Sequence, residues 1–349
     1  MYKIKQLPED FIVKEVSNVK VESDGQYAYY ILKKINYTTI DALQVLSNKF
    51  KIPLKNFGFA GNKDRNAITE QKISIFRGSK KFEVTEFKNI ELKYLGNGKE
   101  PISLGDLEGN EFTITISNLN NNEIKKIQSL ENKKIKIPNL YGSQRFSKNN
   151  NLVGKAIIKR DFKKAVDLVL KNEGVIETKI KDYLIKNKNN HIEALRLIPL
   201  KTRKIFVHSY QSYLFNKIAN KYLKIKNHSK NNIKIPIIGF DFEIKSIKNI
   251  QLKNIIKKIT DEENVYPRDF IINRMPELTS EGNFRDLFFE LKFRTLEIVG
   301  DELNKNRQTS ENQRFSWPRK SKGFSREIKI NFELPKSCYA TVALEFVLR

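Results

Sequence analysis

The stretch GNKDR at residues 61–65 places one carboxylate, Asp64, between two cationic side chains, Lys63 and Arg65. Neighbouring cations favour the ionised form of a carboxylate. An ionised aspartate can act as a nucleophile, a general base or a charge stabiliser, but not as a general acid. A solvated turn with a local ion pair has the same charge pattern. The stretch alone therefore leaves a catalytic and a structural interpretation open.

The segments on either side of Asp64 predict that it lies at the tip of a loop. An apolar run, FGFA, precedes Gly61, and a Thr- and Ile-rich run typical of a strand, TEQKISIF, follows. Upstream, residues 38–50 predict an amphipathic helix with Thr39 as its N-cap. Its apolar residues are three or four apart, at Ile40, Leu43, Leu46 and Phe50.

The remaining periodicity divides the chain into a strand-rich first part, a helix-rich middle and a strand-rich end. Strands are predicted at 10–16, 27–35, 111–119, 285–299 and 326–335. Helices are predicted at 152–170, 206–223 and about 247–260, and the C-terminal residues 337–348 have a helical composition. The polar segment 301–323 predicts a flexible loop that contacts RNA. This order predicts an α+β catalytic domain that is split by an inserted domain.

The charge of the chain indicates what it binds. Its 349 residues contain 65 Lys and Arg against 40 Asp and Glu, a net charge of +25. A phosphate backbone is the commonest partner of so basic a surface, because binding releases condensed counterions. An AT-rich genome that fills neutral surface positions with Lys, Asn and Ile would also give this composition.

Several function classes have no support in the sequence. The single cysteine, Cys338, excludes a disulfide framework, and the three histidines are far apart, so no metal is expected. No GxGxxG occurs, and the LGNGKEP stretch at 95–101 lacks the spacing of a phosphate loop. Neither a membrane-length apolar run nor an apolar signal core is present, which predicts a cytoplasmic protein.

Five motifs in order carry a resemblance to a known family. They are LPEDFIVKEV (7–16), GNKDRNAITEQ (61–71), NLYGSQRFS (139–147), SYQSYLFN (209–216) and LPKSCYATVALE (334–345). Together they resemble the signatures of the TruD family of pseudouridine synthases. Each motif is moderately specific, but five in register cover almost the whole chain.

The resemblance implies a fold and a reaction. The expected fold is α+β, a pseudouridine synthase core with a mixed or antiparallel sheet, interrupted by an inserted TruD-specific α+β domain. We place the catalytic domain at 1–154 and 313–349 and the insert at 155–312. The implied reaction converts uridine to pseudouridine in tRNA, at position 13, without metal or organic cofactor. We expect the enzyme to be a monomer.

The resemblance also assigns roles to single residues. Asp64 corresponds to the family's nucleophile, whether the carboxylate attacks the sugar, attacks the ring or promotes a glycal. Phe11, Asn139, Tyr141 and Tyr339 correspond to residues of a base pocket. An aromatic ring can stack on an extruded base, and an amide can donate to and accept from the uracil edge. Phe11 and the tyrosines could instead belong to the core, and Asn139 could be a turn residue.

Lys5, Lys63 and Arg65 are the candidates for electrostatic support of Asp64. Lys5 could equally be one surface lysine among many. Two positions depart from the family pattern, because Ser147 and Ser337 stand where glycine is usual. If either position requires a positive φ, serine fits it less well than glycine.

Two other functions compete with the synthase. The first is a non-catalytic RNA-binding protein or RNA chaperone on the same fold, against which the intact KDR stretch and Asn139 argue. The second is an unrelated basic enzyme such as a methyltransferase, against which the missing cofactor loop argues.

Overall fold

The structure, a computed structural model, describes residues 2–225, 233–299 and 326–348. The chain forms two compact units, which are described separately. The first comprises Met1–Ile137 with Glu290–Arg349, and the second comprises Pro138–Phe289. The expected borders at 154/155 and 312/313 do not coincide with these. The first falls inside a helix of the second unit, and the second lies outside the described residues, as does the loop expected at 301–323.

The described residues form both strands and helices. The strands are β1 (Phe11–Val16), β2 (Tyr27–Ile35), β3 (Phe57–Phe59), β4 (Ile68–Phe76), β5 (Val84–Phe87), β6 (Ile90–Gly98), β7 (Gly109–Leu119), β8 (Lys134–Pro138), β9 (Lys234–Ile237), β10 (Asn283–Asp286), β11 (Phe288–Val299) and β12 (Arg326–Pro335). The helices are α1 (Thr39–Phe50), α2 (Asn121–Gln128), α3 (Asn150–Ile158), α4 (Phe162–Val169), α5 (Val175–Lys186), α6 (His191–Arg196), α7 (Leu200–Leu223), α8 (Ile250–Glu263) and α9 (Ala340–Leu348).

The first unit is built on a ten-stranded sheet in the described part of the chain. Its order is β5-β6-β2-β4-β1-β7-β12-β11-β8, and β3 pairs with β4. β1 pairs in parallel with β4 and antiparallel with β7, so the sheet is mixed, as expected. The C-terminal strand β12 returns to this sheet, where it lies between β7 and β11. The α+β fold is therefore confirmed.

The period-two pattern of the strands decides which side chains form the core. In β7, Phe112, Ile114 and Ile116 are buried, as their alternation predicts. On β2 and α1, Leu32 and Leu43 belong to one buried cluster. Burial of each such side chain contributes about 1.5–3 kcal/mol to folding before entropy is subtracted.

The start of α1 differs from the expectation by one residue. Thr38, not Thr39, is the N-cap, and its hydroxyl accepts the N–H of Asp41 at 3.1 Å. The Thr39 hydroxyl is buried and is used elsewhere, by the loop that carries Asp64. Local sequence cannot distinguish two adjacent threonines as caps, because tertiary partners decide which hydroxyl faces the helix.

The second unit is mostly helical and is organised around α7. Gly154 on α3 lies so close to α7 that a Cβ there would be 2.0 Å from the carbonyl oxygen of Phe206. The single helix expected at 152–170 is two helices, α3 and α4. The break occurs at Arg160, whose φ is +60°, and Asp161 caps α4. Both helices bury apolar faces, so the periodicity continues across the break.

No helix within the described residues is long and apolar enough to cross a membrane.

Both serines that replace the family's glycines have left-handed backbones, with φ of +46° at Ser147 and +69° at Ser337. Both positions therefore require a positive φ, and serine is strained there where glycine would not be.

We predict that Ser147→Gly and Ser337→Gly each stabilise the chain. Relief of the left-handed backbone outweighs the added flexibility of the unfolded chain by about 0.5–1 kcal/mol. Calorimetry should show a higher Tm for the unit that carries each change. Ser129→Gly is the matched control, because Ser129 has φ of −63° and should gain nothing. An equal rise in all three variants would contradict the explanation.

Candidate active site

Asp64 lies in the loop between β3 and β4, with its side chain 46% exposed. Its Oδ2 accepts a hydrogen bond from the Nζ of Lys5 at 2.5 Å. The two residues are 59 positions apart in sequence. The structure therefore brings together the predicted nucleophile and one predicted supporting cation.

The parallel pairing of β1 and β4 explains why these two residues meet. Ile12 is in register with Ile68, so both strands begin at the same edge of the sheet. Lys5 precedes β1 and Asp64 precedes β4, so each lies in the segment that enters the sheet there. An isolated surface ion pair contributes little to stability, but this pair is fixed by two strands.

The segment that carries Lys5 is held at several points. Lys3 forms a two-bond antiparallel bridge with Ser117, and Gln6 donates to the Ser117 hydroxyl at 2.8 Å. Asp10, which is buried, accepts the N–H of Leu7 at 2.9 Å and closes the turn before β1. Lys5 itself has φ of +57°, a left-handed backbone between the Lys3 bridge and the turn before β1.

Phe11 lies beneath Lys5. The Lys5 Nζ is 3.8 Å from the centroid of the Phe11 ring, and the ring of Phe112 contacts Phe11 edge-on at 6.0 Å. Phe11 is only 3% exposed, so its ring packs in the core and supports the ammonium. The core alternative for Phe11 matches this position, and direct base stacking by it stays a prediction.

Lys63 and Arg65 form their ion pairs with other carboxylates. The Nζ of Lys63 is 2.7 Å from Glu15 in a pair with almost no exposure, and Arg65 is 2.6 Å from the exposed Asp41. Within the described residues, neither cation forms an ion pair with Asp64. Successive side chains of an extended loop point in different directions, so adjacency in sequence does not give contact. Their support of Asp64 is long-range and stays a prediction.

A buried lysine that the sequence analysis missed holds the main chain of Asp64. Lys34 on β2 has no exposed surface, and its Nζ donates to the carbonyl oxygens of Asp64 (2.9 Å) and Tyr37 (2.5 Å). The signal was present in β2, because Tyr30 and Leu32 alternate on the buried face and Lys34 continues that register.

Two further buried polar residues complete the support of the loop. The Thr39 hydroxyl accepts the N–H of Lys63 at 2.9 Å and donates to the side-chain oxygen of Gln71 at 2.8 Å. The Gln71 amide donates to the carbonyl oxygen of Gly61 at 3.0 Å. The backbone of residues 61–64 is therefore fixed from α1, β2 and β4 together.

Burial shifts the titration of Lys34. The pKa of Lys34 is lowered from the ordinary value of 10.5 to about 8, chiefly by desolvation and also by Lys63, against the opposing effects of Asp64 and Asp41. At neutral pH the ammonium form persists, and it places a positive charge under the Asp64 loop.

Asn139 and Tyr141 lie in the second unit, in the loop after β8. Asn139 is buried, and its Oδ1 and carbonyl oxygen accept hydrogen bonds from Arg285 on β10. The Arg285 guanidinium lies 4.3 Å from the Tyr141 ring centroid, and Phe215 contacts that ring edge-on at 5.4 Å. The sequence analysis did not single out Arg285, since an arginine in a strand has no local signal of burial.

The SYQSYLFN motif of α7 anchors this loop. The side chain of Asn216 bonds both the N–H and the carbonyl oxygen of Tyr141, each at 2.9 Å. Ser209 donates to the carbonyl oxygen of Arg145, and Arg145 donates to the Ser212 hydroxyl at 3.2 Å. The motif thus positions the loop, and it does so partly through Arg145.

Tyr339 is partly buried in the first unit, in the turn before α9, where its carbonyl oxygen accepts the N–H of Ala343. Among the described residues, no group of three or more His, Cys, Asp and Glu side chains is placed to hold a metal ion. The geometry thus offers an exposed carboxylate with a fixed ammonium partner, and separately a loop with an oriented amide and a tyrosine ring.

Comparison with known proteins gives a consistent result. The family model described as tRNA pseudouridine synthase D (TruD) matches residues 2–181, 172–232 and 218–346. A protein of Methanosarcina acetivorans named "Probable tRNA pseudouridine synthase D" is 28% identical, with 98% of this chain and 91% of the relative covered. The "tRNA pseudouridine synthase D" of Aquifex aeolicus is 26% identical, with 98% and 97% covered.

The structure is also similar to a solved one. A crystal structure of a candidate tRNA pseudouridine synthase D (TruD) from Methanosarcina mazei aligns with a TM-score of 0.67 at 26% identity. The alignment covers 99% of this chain and 92% of the other.

We predict that Lys34→Met changes stability in a pH-dependent way. Between about pH 8 and 10.5 the folded chain holds Lys34 neutral while the unfolded chain still holds it protonated. The unfolded state then binds more protons, so the contribution of Lys34 to the free energy of unfolding rises with pH. Below about pH 8 Lys34 is protonated in both the folded and the unfolded chain, so its contribution to the free energy of unfolding does not change with pH.

Thermal unfolding of wild type and Lys34→Met at several pH values measures this difference. The Tm advantage of the wild type should grow as pH rises from 8 to 10. Lys33→Met is the matched control, because the neighbouring Lys33 side chain is 46% exposed and should give a constant difference. A Lys34→Met difference that does not change with pH would contradict the assignment.

Proposed function

We propose, from the premise that this chain belongs to the TruD family of tRNA pseudouridine synthases, that Asp64 is the nucleophile of its reaction. The chain is an isomerase that converts uridine to pseudouridine in tRNA. In that reaction the bond between N1 of uracil and C1′ of ribose breaks. The base turns, a bond between C5 and C1′ forms, the proton leaves C5, and N1 takes up a proton from water.

The observation that carries the proposal is the Lys5–Asp64 pair on a rigid loop. The carboxylate is half exposed, so substrate can reach it, and the hydrogen bond from the Lys5 ammonium fixes its direction. Attack on the sugar, attack on the ring and promotion of a glycal all require an ionised carboxylate. The geometry therefore serves each of these three routes equally.

The buried groups under the loop supply preorganisation. Lys34 fixes the carbonyl of Asp64, and Thr39 fixes the N–H of Lys63, so the carboxylate need not be ordered when substrate binds. The uracil departs with negative charge, and the ammonium of Lys5 is the cation in contact with Asp64 that can stabilise it. Lys63 and Arg65, which pair with Glu15 and Asp41, are the proposed longer-range support of Asp64.

The base-binding roles are part of the same proposal. Tyr141 offers a ring and Asn139 an amide to the extruded uracil, and Tyr339 lies before α9 as a further aromatic contact. Phe11, whose ring carries the Lys5 ammonium, is the fourth proposed residue of the base pocket. We further propose the uridine at position 13 of tRNA as the target, and a cytoplasmic monomer that needs neither metal nor organic cofactor.

We predict that Asp64→Asn lowers turnover by at least about a thousandfold, the scale for loss of a covalent nucleophile. Asparagine has the same shape but cannot be ionised, so tRNA affinity should change little. Tritium release from transcribed tRNA labelled at C5 of uridine measures turnover. Asp167→Asn, an exposed charge on α4, is the control for loss of one carboxylate.

The same assay separates the competing functions. A non-catalytic RNA-binding protein would bind the transcript and release no tritium even as wild type. A methyltransferase would require an added methyl donor. Substantial turnover by Asp64→Asn would show that another group is the nucleophile.

We predict that RNA affinity falls steeply with salt, because the net charge of +25 is available to phosphates. Each neutralised phosphate should add about 0.7–0.9 to the slope of log K against log salt. Filter binding between about 50 and 200 mM salt measures it. An RNA affinity that does not change with salt would indicate that the charge reflects genome composition and not RNA binding.

A further inference from the structure

Arg285 fixes the orientation of the Asn139 amide. Its Nε donates to the Asn139 carbonyl oxygen at 2.9 Å, and its Nη2 donates to Oδ1 at 2.5 Å. Both residues are buried, at 9% and 7% exposure. A guanidinium has only donors, so the side-chain atom that faces it must be the oxygen. The amide therefore cannot flip without leaving a buried donor unpaired.

The remaining polar groups of Asn139 decide what it can offer a ligand. Its N–H donates to the carbonyl oxygen of Leu287 at 2.7 Å, and both of its oxygens are occupied by Arg285. Its Nδ2 has no partner within the described part of the chain. The residue can thus contribute two N–H donors from Nδ2, while its two oxygens face the guanidinium.

We infer that Asn139 is a dedicated hydrogen-bond donor to a carbonyl oxygen of the target base, and that Arg285 is the positioning residue that makes it so. This deepens the proposed function and rests on it, since the base is the uracil of the synthase reaction. Uracil presents carbonyl oxygens at O2 and O4. A donor aimed at O4 would also reject cytosine, which presents an amino group there.

Arg285 orders the second base-contacting residue as well. Its guanidinium lies over Tyr141, with Phe215 at 5.8 Å from the same charge, so one buried cation packs against two rings. Asn216 holds the Tyr141 backbone from α7. The ring and the amide are therefore set by one guanidinium, and a change in Arg285 should alter both base contacts.

Sulfur substitution of single carbonyls tests the donor. Transcripts carry uridine, 2-thiouridine or 4-thiouridine at the target position, and product is measured by chromatography of the digested nucleosides. Sulfur is a weak acceptor, so the wild type should lose about three- to tenfold in kcat/KM at the contacted carbonyl. The position that shows the loss identifies O2 or O4.

Asn139→Asp is the decisive variant. The carboxylate keeps the shape and the bonds from Arg285, so Tm should be maintained or raised. It replaces both N–H donors by oxygen, so kcat/KM on uridine should fall about ten- to a hundredfold. The thio effect should disappear with the donor. Asn249→Asp, at the N-cap of α8, is the matched control and should retain both the wild-type kcat/KM and the thio effect.

Arg285→Met tests the positioning role. With the guanidinium gone the amide can turn either way, so the thio effect should shrink by more than half. A merely structural arginine would lower turnover on all three transcripts equally and leave the thio ratio unchanged. Arg268→Met is the control, because Arg268 stacks on Tyr266 at 6.0 Å. If Arg285→Met unfolds, Arg285→Lys, which lacks the two-pronged geometry, takes its place.

The outcomes separate the inference from the proposed function. Wild-type conversion of the unmodified transcript supports the proposed function whatever the thio effects are. A thio effect that persists in Asn139→Asp would overturn the inference alone, and so would a wild type that shows no thio effect at O2 and none at O4. A wild type that leaves uridine unconverted would overturn both.

Discussion

The parallel register between β1 and β4 is the constraint on which the candidate active site depends. It places the entry segments of both strands at one edge of the sheet, and the Lys5–Asp64 ion pair forms between those segments. A register slip of one residue would turn every side chain of β1 to the opposite face. The burial of Phe11 and Val13 makes such a slip costly, so the apolar core sets the position of the carboxylate's partner.

Buried cations perform the same task in both units. Lys34 donates to the carbonyl of Asp64, and Arg285 donates to the carbonyl and Oδ1 of Asn139. Each cation has only hydrogen-bond donors, so the atoms that face it must be oxygens, and this restricts how the neighbouring residue is oriented. In both cases the buried charge acts on a neighbouring functional residue through that residue's main chain or amide.

These cations cost free energy that the surrounding contacts must offset. Removing water from an ammonium or guanidinium is unfavourable, and burial lowers the pKa of Lys34 to about 8. The compensation comes from the carbonyl oxygens around Lys34, from Glu15 at Lys63, and from the aromatic rings around Arg285. Removing one partner would leave an uncompensated charge, whereas the complete network permits a single loop geometry.

The sequence by itself determined the strands of the first sheet, most helices, the family and the candidate nucleophile, because these depend on local periodicity and short motifs. It also raised the possibility of a positive φ at Ser147 and Ser337, and the structure has left-handed backbones at both. The N-cap of α1 was missed because the Thr39 hydroxyl meets the distant residues Lys63 and Gln71. The break at Arg160 was missed because the apolar periodicity continues across it.

Only the tertiary structure decided which charges meet. Lys63 and Arg65 adjoin Asp64 in sequence yet pair with Glu15 and Asp41, while Lys5, 59 residues away, contacts the carboxylate. Electrostatic and hydrogen-bond contacts extend only a few ångströms and depend on direction. The pairing of charges therefore follows from strand register and side-chain direction, which the order of residues along the chain does not specify.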